Sequence, residues 1–144
     1  MKQKHQITAF YMETILLMIV FLIVILLLTR VFSYGKVQSK QAKDLTNAVC
    51  LAQSAAEAAA SSEDIQKLYE MLDQGNAEMA DNAIQAWYDA DMHPQRDGYY
   101  HLVAEWEEEP KEYGSFVNTV IHVYINEEEI YQLDTGVYLQ EAGS

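Results

Sequence analysis

The chain opens with a long apolar segment that has no counterpart elsewhere in the sequence. Residues 15–28 read ILLMIVFLIVILLL and carry no charged, amide or hydroxyl side chain. Extending this run through weakly polar neighbours gives 22 residues, from Thr8 to Thr29, with Glu13 as the one charge. A helix of this length covers roughly 33 Å, about the thickness of the hydrocarbon core of a bilayer. Because the segment is apolar on every side, it predicts a transmembrane helix over residues 9–30.

A helical pattern continues beyond this segment. Small apolar residues recur three and four positions apart, which places them on one face of a helix. They are Leu45, Ala48, Val49, Ala52, Ala55, Ala56 and Ala59. The pattern predicts an amphipathic helix over residues 31–60, whose narrow stripe packs on the chain's own sheet. Packing between subunits can use the same stripe, and the two uses do not exclude each other. Cys50 lies among these small residues, so we expect it to be a buried small apolar side chain.

A second, shorter helix is indicated after residue 60. Ser61 and Ser62, followed by Glu63 and Asp64, combine the cap residues and acidic first turn of a helix start. An apolar stripe follows and ends at Gly75; its members are Ile65, Leu68, Tyr69 and Leu72. Residues 77–87 fit either another short helix or, from Gln85 onward, the first strand of a sheet, and the pattern leaves both open.

The C-terminal part alternates apolar and polar positions, as half-buried strands do. Residues 100–106 form one such segment and residues 116–125 a stronger one, followed by a polar connection at residues 126–129. Two shorter strands are expected at residues 130–133 and, after Thr135 and Gly136, at residues 137–139. Short connections favour an antiparallel meander. The sequence therefore predicts an α+β fold, in which a long N-terminal helix packs on one face of a small antiparallel sheet and the other face is polar.

Charge divides the chain into two parts. The 144 residues include 9 Lys and Arg against 22 Asp and Glu, a net charge of −13. Residues 1–43 carry six basic residues and one acid, whereas residues 44–144 carry three basic residues and 21 acids. The acidic part would repel phosphate, which argues against nucleic-acid binding through it. With a single cysteine, the chain can form no internal disulfide and no CxxC redox pair.

The apolar segment can also be compared with a secretory signal. Lys2 and Lys4 would supply its basic start, and residues 33–35 a loose cleavage site. The apolar run is longer than the roughly 7–15 residues of a signal core, and Arg30 separates it from that site. We therefore expect a retained anchor and four regions: a basic leader or tail at 1–8, a transmembrane helix at 9–30, an amphipathic helix at 31–60 and an acidic α+β domain at 61–144.

Glu13 is the informative residue of the anchor. A carboxylate within an apolar span costs a few kcal/mol, so such residues usually have a partner or a function. One interpretation places Glu13 near the headgroups at the shallow end of the span. The other has it meet a positive charge when helices pack side by side in the membrane.

Residues 8–28, TAFYMETILLMIVFLIVILLL, resemble the N-terminus of type IV pilins and type II secretion pseudopilins, in particular a divergent minor subunit of a Gram-positive bacterium. Members of this family have a short basic leader, an aromatic-led apolar helix with one Glu near its start, and then a small antiparallel sheet. The resemblance implies a prepilin peptidase that removes the leader. It also implies that Glu13 neutralises the terminal amine of a neighbouring subunit during assembly.

Two cleavage frames are open. Making Glu13 the fifth mature residue puts the cut after Thr8, whereas a cut between Ala9 and Phe10 leaves a small residue before the cut and makes Glu13 the fourth. We prefer the second frame, and an uncut chain is the third possibility. The resemblance places the C-terminal domain outside the cytoplasm. Counting basic residues on the two flanks mildly favours the opposite orientation.

Little in the sequence points to chemistry. Asp89, Asp91 and Asp97 form a weak calcium candidate that fails the EF-hand template, because Pro94 stands where Gly is needed. His101 and His122 could face each other across strands, but two histidines alone make a poor zinc site. We expect no enzymatic activity and no cofactor.

The predicted function is that of a structural subunit of a type IV pilus, competence or secretion-type assembly. Its partners would be the membrane bilayer, other pilin-like subunits and a prepilin peptidase. The alternative is a single-pass anchored binding or regulatory module that does not polymerise.

Overall fold

The computed structural model describes residues 2–140 and confirms the α+β fold, with two helices followed by five strands. The elements are α1 (Lys2–Ser61), α2 (Ile65–Leu72), β1 (Ala77–Ala80), β2 (Ala83–Tyr88), β3 (Tyr100–Lys111), β4 (Gly114–Ile125) and β5 (Glu128–Gln140). The chain divides into two compact units after Ala42. The second unit therefore includes the last part of α1 together with α2 and the sheet.

All three predicted helical segments are present, in two helices. The two helical stretches predicted over residues 9–60 form the single helix α1. The restart predicted after Ser61 is α2, and its N-cap is Asp64, whose carboxylate accepts a hydrogen bond of 2.7 Å from the backbone N–H of Lys67. An Asp at this position satisfies one of the free N–H groups of the first turn, which explains why the helix restarts there.

The five strands form one antiparallel sheet in sequential order, β1-β2-β3-β4-β5, which is the predicted meander. Residues 77–87, left open between helix and strand, are strands: β1 and β2 form a hairpin around Asp81 and Asn82. The helical interpretation was wrong there because residues 83–88 alternate between the two faces of the sheet, with Ile84 and Ala86 buried.

The two short strands predicted at 130–133 and 137–139 are a single strand, β5, and Gly136 lies within it. A Cβ atom at Gly136 would lie 2.5 Å from Cζ of Phe116, so this glycine gives room for an aromatic ring on the neighbouring strand. Its role is close approach rather than a turn. The predicted connection at 126–129 is also shorter, because Glu128 and Glu129 already belong to β5.

The core of the second unit lies between residues 48–59 of α1, α2 and one face of the sheet. The sheet contributes alternate residues of its central strands, namely Ile84, Ala86, Tyr100, Leu102, Ala104, Trp106, Val117, Thr119, Ile121 and Val123. From α1 the buried residues are Ala48, Leu51, Ala52, Ala55 and Ala59. The predicted stripe is thus largely confirmed between residues 48 and 59, but it fails at its start, where Leu45 is 48% exposed.

Candidate functional site

The apolar part of α1 is the first candidate site. Every residue of Ile15–Leu28 is exposed in the isolated chain. Among residues 2–140, one helix is long and apolar enough to cross a membrane, and it contains this segment. Burying so much apolar surface requires a nonpolar environment or other helices, so the first unit is a candidate single-pass membrane span.

The threonine hydroxyl groups in and beside this segment are satisfied within the helix. Thr8, Thr14 and Thr29 each donate to the backbone carbonyl four residues earlier, at 2.7, 2.9 and 2.8 Å. A threonine that bonds back to its own helix presents no unpaired polar group to lipid. The polar residues that interrupt the apolar pattern at both ends are therefore compatible with a bilayer, with Glu13 as the exception.

Glu13 lies on the exposed surface of α1 and forms no hydrogen bond or ion pair with another residue in the range 2–140. The residues three and four positions away, which share its side of the helix, are Ala9, Phe10, Leu16 and Leu17. The nearest Lys or Arg is Lys4, nine residues earlier and about 13.5 Å away along the helix axis. A counter-ion for this carboxylate must therefore come from outside its own helix.

The preferred cleavage junction, Ala9 and Phe10, lies within the same continuous helix, and both residues are exposed. The rings of Phe10 and Tyr11 contact edge to face, with their centroids 6.3 Å apart. The junction is thus three to four residues, or about one helical turn, before Glu13.

The aspartates of the calcium candidate do not form a cluster. One oxygen of Asp89 accepts hydrogen bonds from the backbone N–H groups of Asp91 and His93, at 2.8 and 2.9 Å, and thereby shapes its own loop. The bond from His93 is the main reason that the pKa of Asp89 is lowered. Asp91 lies 3.8 Å from Nζ of Lys43. No group of three His, Cys, Asp or Glu side chains within residues 2–140 could hold a metal ion.

The two strand histidines are not directly opposite each other. His101 of β3 pairs with Tyr124 of β4, and His122 of β4 pairs with Val103 of β3. A register shifted by two residues would be needed to place the two histidines opposite each other. His101 instead stacks on Trp87, with ring centroids 4.8 Å apart and planes within 4°, and Nε2 contacts Oε1 of Gln85 at 3.1 Å. Burial lowers the pKa of His101, which favours the neutral ring in this stack.

His122 lies between two carboxylates on the outer face of the sheet. Its Nδ1 is 2.8 Å from Oε2 of Glu129, and its Nε2 is 3.9 Å from Oε2 of Glu105. Tyr124 connects this group to the stack of His101 and Trp87. The outer face, expected to be polar, thus carries a row of rings flanked by acids.

A polar network between α1 and the start of β3 was not found from the sequence. The hydroxyl of Tyr100 donates to Asp44 at 3.1 Å and accepts from the amide of Asn47 at 3.1 Å, and the hydroxyl of Tyr99 donates to the other oxygen of Asp44 at 2.9 Å. These partners lie more than 50 positions apart in sequence. They also explain the exposure of Leu45, because Asp44 and Asn47 occupy the sheet-facing positions at this level of the helix.

Cys50 is exposed, contrary to the expectation that it is buried. The buried face of α1 is occupied by Ala48, Leu51, Ala52 and Ala55, and Cys50 falls beside that face. The small size of the residue was not a guide to its burial, since an exposed helix surface also accepts small side chains.

Comparisons with protein-family models, with curated proteins and with solved structures find no match to this chain. A long N-terminal helix packed on an antiparallel sheet is compatible with a pilin-like fold.

Proposed function

We propose that this chain is a membrane-anchored, non-enzymatic subunit of the minor pilin or pseudopilin type, acting in a type IV pilus, competence or secretion-type assembly. The observation that carries the proposal is Glu13, a carboxylate near the start of the apolar segment of α1, where no Lys or Arg lies within eight residues of it. The order of elements, a long helix followed by an antiparallel meander, supports the same function.

The carboxylate of Glu13 is costly to place within a bilayer. An ionised group within a bilayer is expensive, and pairing it with a cation of another chain recovers part of that cost. Before assembly, Glu13 lies near the headgroups. During assembly, it meets the terminal amine that a prepilin peptidase exposes on a neighbouring subunit, so that the ion pair fixes the axial register between helices.

The acidic part of the chain, residues 44–144, has a different role in this proposal. Residues 44–144 carry 21 acids against three basic residues, which keeps this part in water and away from anionic lipid. It stands outside the cytoplasm on a single-pass anchor, does not bind nucleic acid and carries out no reaction. Its surface meets neighbouring subunits or solvent.

Substitution of Glu13 tests this function. Glu13→Gln removes the charge of this side chain and keeps its shape, so the variant should still reach the membrane fraction. In native membranes it should lose its crosslinks to other single-helix subunits. The yield of crosslinked product should fall about ten-fold if the ion pair contributes about 1.4 kcal/mol. The matched control is Thr14→Ala, one position later, which removes only a hydroxyl bonded within its own helix.

Unchanged crosslinks in the Glu13→Gln variant would favour the alternative, an anchored binding or regulatory module that does not polymerise. Loss of the chain from the membrane would instead show that Glu13 is needed for insertion, which contradicts the proposed role in assembly.

A further inference from the structure

The sheet has two edges of very different length. β1, at one edge, has four residues, whereas β5, at the other, has 13. β5 bonds to β4 along one side, and no strand of residues 2–140 lies along its other side. A row of backbone N–H and C=O groups on such an edge is a template for pairing with another strand.

β5 also lacks most of the features that normally prevent such pairing. Edge strands are usually short or carry proline, lysine or a bulge. β5 contains no Pro and no Lys, and its bulge lies at its very start, beside Ile130, where β4 shifts register between Val123 and Tyr124. From residue 131 to residue 140 the strand alternates regularly.

The inner side chains of this strand are incompletely covered. In β4, Val117, Ile121 and Val123 are fully buried. The residues of β5 opposite them, Val137, Leu133 and Tyr131, are only half-buried, as is Leu139. One more strand beside β5 would continue the sheet and cover these apolar side chains.

We propose that the strand that pairs there is β5 of a second copy of this chain, antiparallel and centred on Thr135. In this register Leu133 lies opposite Val137 of the copy, and Tyr131 opposite Leu139. Thr135 lies opposite itself. In this register the numbers of opposite residues add up to 270, so both are odd or both are even. The odd-numbered residues of β5 from Tyr131 onward lie on the inner face, and all three pairs therefore join side chains on that face. Pairs of aromatic, aliphatic and β-branched residues of this kind stabilise sheets.

The charges of β5 select this register. Glu128 and Glu129 lie outside the paired stretch, and Asp134 lies opposite Gly136 of the copy. Centring the pair on Asp134 would oppose that carboxylate with itself, and directly opposed like charges are destabilising. Centring it on Gly136 would place that glycine opposite itself, so the central pair would contribute no side-chain contact.

The expected contact is weak in solution. Nine paired residues make an edge roughly 30 Å long and 10 Å high, or roughly 300 Å² for each copy, below the size of stable interfaces. Repulsion between acidic units opposes it further and is screened by salt. Anchoring in one membrane raises the effective concentration, so pairing belongs to the membrane-bound chain and strengthens with ionic strength.

Cysteine crosslinking of the full chain in membranes tests this pairing. The background is Cys50→Ser, because the native thiol is exposed. Thr135→Cys should give a disulfide-linked dimer on oxidation, since opposite residues lie within reach of a disulfide. Val137→Cys is the control. The cysteines at position 137 of the two chains would be four residues apart along the strands, or about 13 Å. A disulfide cannot span that distance, so we expect about ten-fold less dimer.

A second arm tests the register itself. Mixed Leu133→Cys and Val137→Cys chains should crosslink to each other. Residues 132 and 138 lie opposite each other in this register, and Thr135→Cys serves as the reporter of dimer formation. Gln132→Glu combined with Tyr138→Glu should reduce the amount of dimer, because it places like charges opposite each other. Gln132→Lys combined with Tyr138→Glu places opposite charges there and should retain the dimer. Both positions are exposed.

Equal crosslinking of Thr135→Cys and Val137→Cys, or no crosslinking of either, would overturn the proposal. An edge occupied by a different, basic partner would give the latter result. Because the pairing does not involve Glu13, the same pattern is expected in the Glu13→Gln variant. Failure of the β5 pairing is therefore distinguishable from failure of the proposed assembly through Glu13.

Discussion

At the level of single residues, Tyr100 combines complete burial with hydrogen bonding to another element of the second unit. Its side chain is fully buried, yet its hydroxyl has two partners, Asp44 and Asn47 of α1. No buried side-chain nitrogen or oxygen of residues 2–140 lacks a partner. This tyrosine therefore anchors β3 to α1 through both apolar contact and hydrogen bonds.

Tyr100→Phe should destabilise the folded unit by about 1–3 kcal/mol, because it leaves the amide of Asn47 without its acceptor and one oxygen of Asp44 without its donor, while Tyr99 still donates to the other oxygen. Thermal unfolding of the full chain in detergent micelles, followed by near-ultraviolet circular dichroism, measures this change. Tyr138→Phe, at an exposed tyrosine, is the control and should change stability by less than about 0.5 kcal/mol. Equal stability of both variants and the native chain would show that the network contributes nothing.

Tyr100 also predicts an alkaline pH dependence. Burial, with Asp44 nearby, raises the pKa of this phenol from 10.0 to about 12. A group whose pKa is higher in the folded state keeps its stabilising effect below the unfolded pKa and loses it as the pH rises through the folded pKa. The native chain should therefore lose stability between about pH 10 and pH 12.

Tyr100→Phe should reduce this loss in the same unfolding measurement made across that pH range. It should not abolish the loss, because the pKa values of Tyr69, Tyr88 and Tyr124 are raised as well. An identical pH profile for the variant and the native chain would contradict the assignment to Tyr100.

At the scale of elements, the sequence predicted what local periodicity determines. The stripe from Ala48 to Ala59 and the alternation in β3 and β4 each identify one buried face. Residues 77–87 stayed open because Ala-rich segments suit helices by propensity. Only the pairing of β1 with β2 and of β2 with β3 makes them strands. The continuity of β5 through Gly136 was hidden for a similar reason, since the ring that fills the space beside that glycine belongs to Phe116 on another strand.

The hairpin between β4 and β5 offers a test at this scale. Asn126 and Glu127 both have positive φ, 49° and 67°, as a two-residue turn of this type requires. Glu127 carries a Cβ in this left-handed conformation, which costs about 1–2 kcal/mol. Glu127→Gly should therefore stabilise the unit by about 1 kcal/mol in chemical denaturation.

Glu128→Gly is the matched control, because residue 128 belongs to the strand. There the added backbone freedom should destabilise the unit by about 0.5–1 kcal/mol. Loss of stability in both variants would show that the turn does not impose the strain that its φ angles indicate.

At the scale of the whole molecule, the average composition conceals two physical objects. The first is an apolar helix with basic flanks and one carboxylate, and the second is a strongly acidic helix-and-sheet unit. The change in charge after residue 43 lies close to this boundary, whereas the acidic domain was predicted to begin only at residue 61. The polar network around Asp44, the stack of Trp87 and His101, and the free edge of β5 could not be predicted, because each depends on strand register and on residues distant in sequence.

The N-terminus of the chain in membranes decides whether it is processed as a pilin-type subunit. The measurement is the intact mass of the full chain, purified from membranes after co-expression with a prepilin peptidase and, as control, without it. We expect removal of residues 1–9 only when the peptidase is present, so that the mature chain begins at Phe10 and retains Glu13. A chain that still begins at Met1, or one cut near residues 33–35 and so deprived of Glu13, would contradict this expectation.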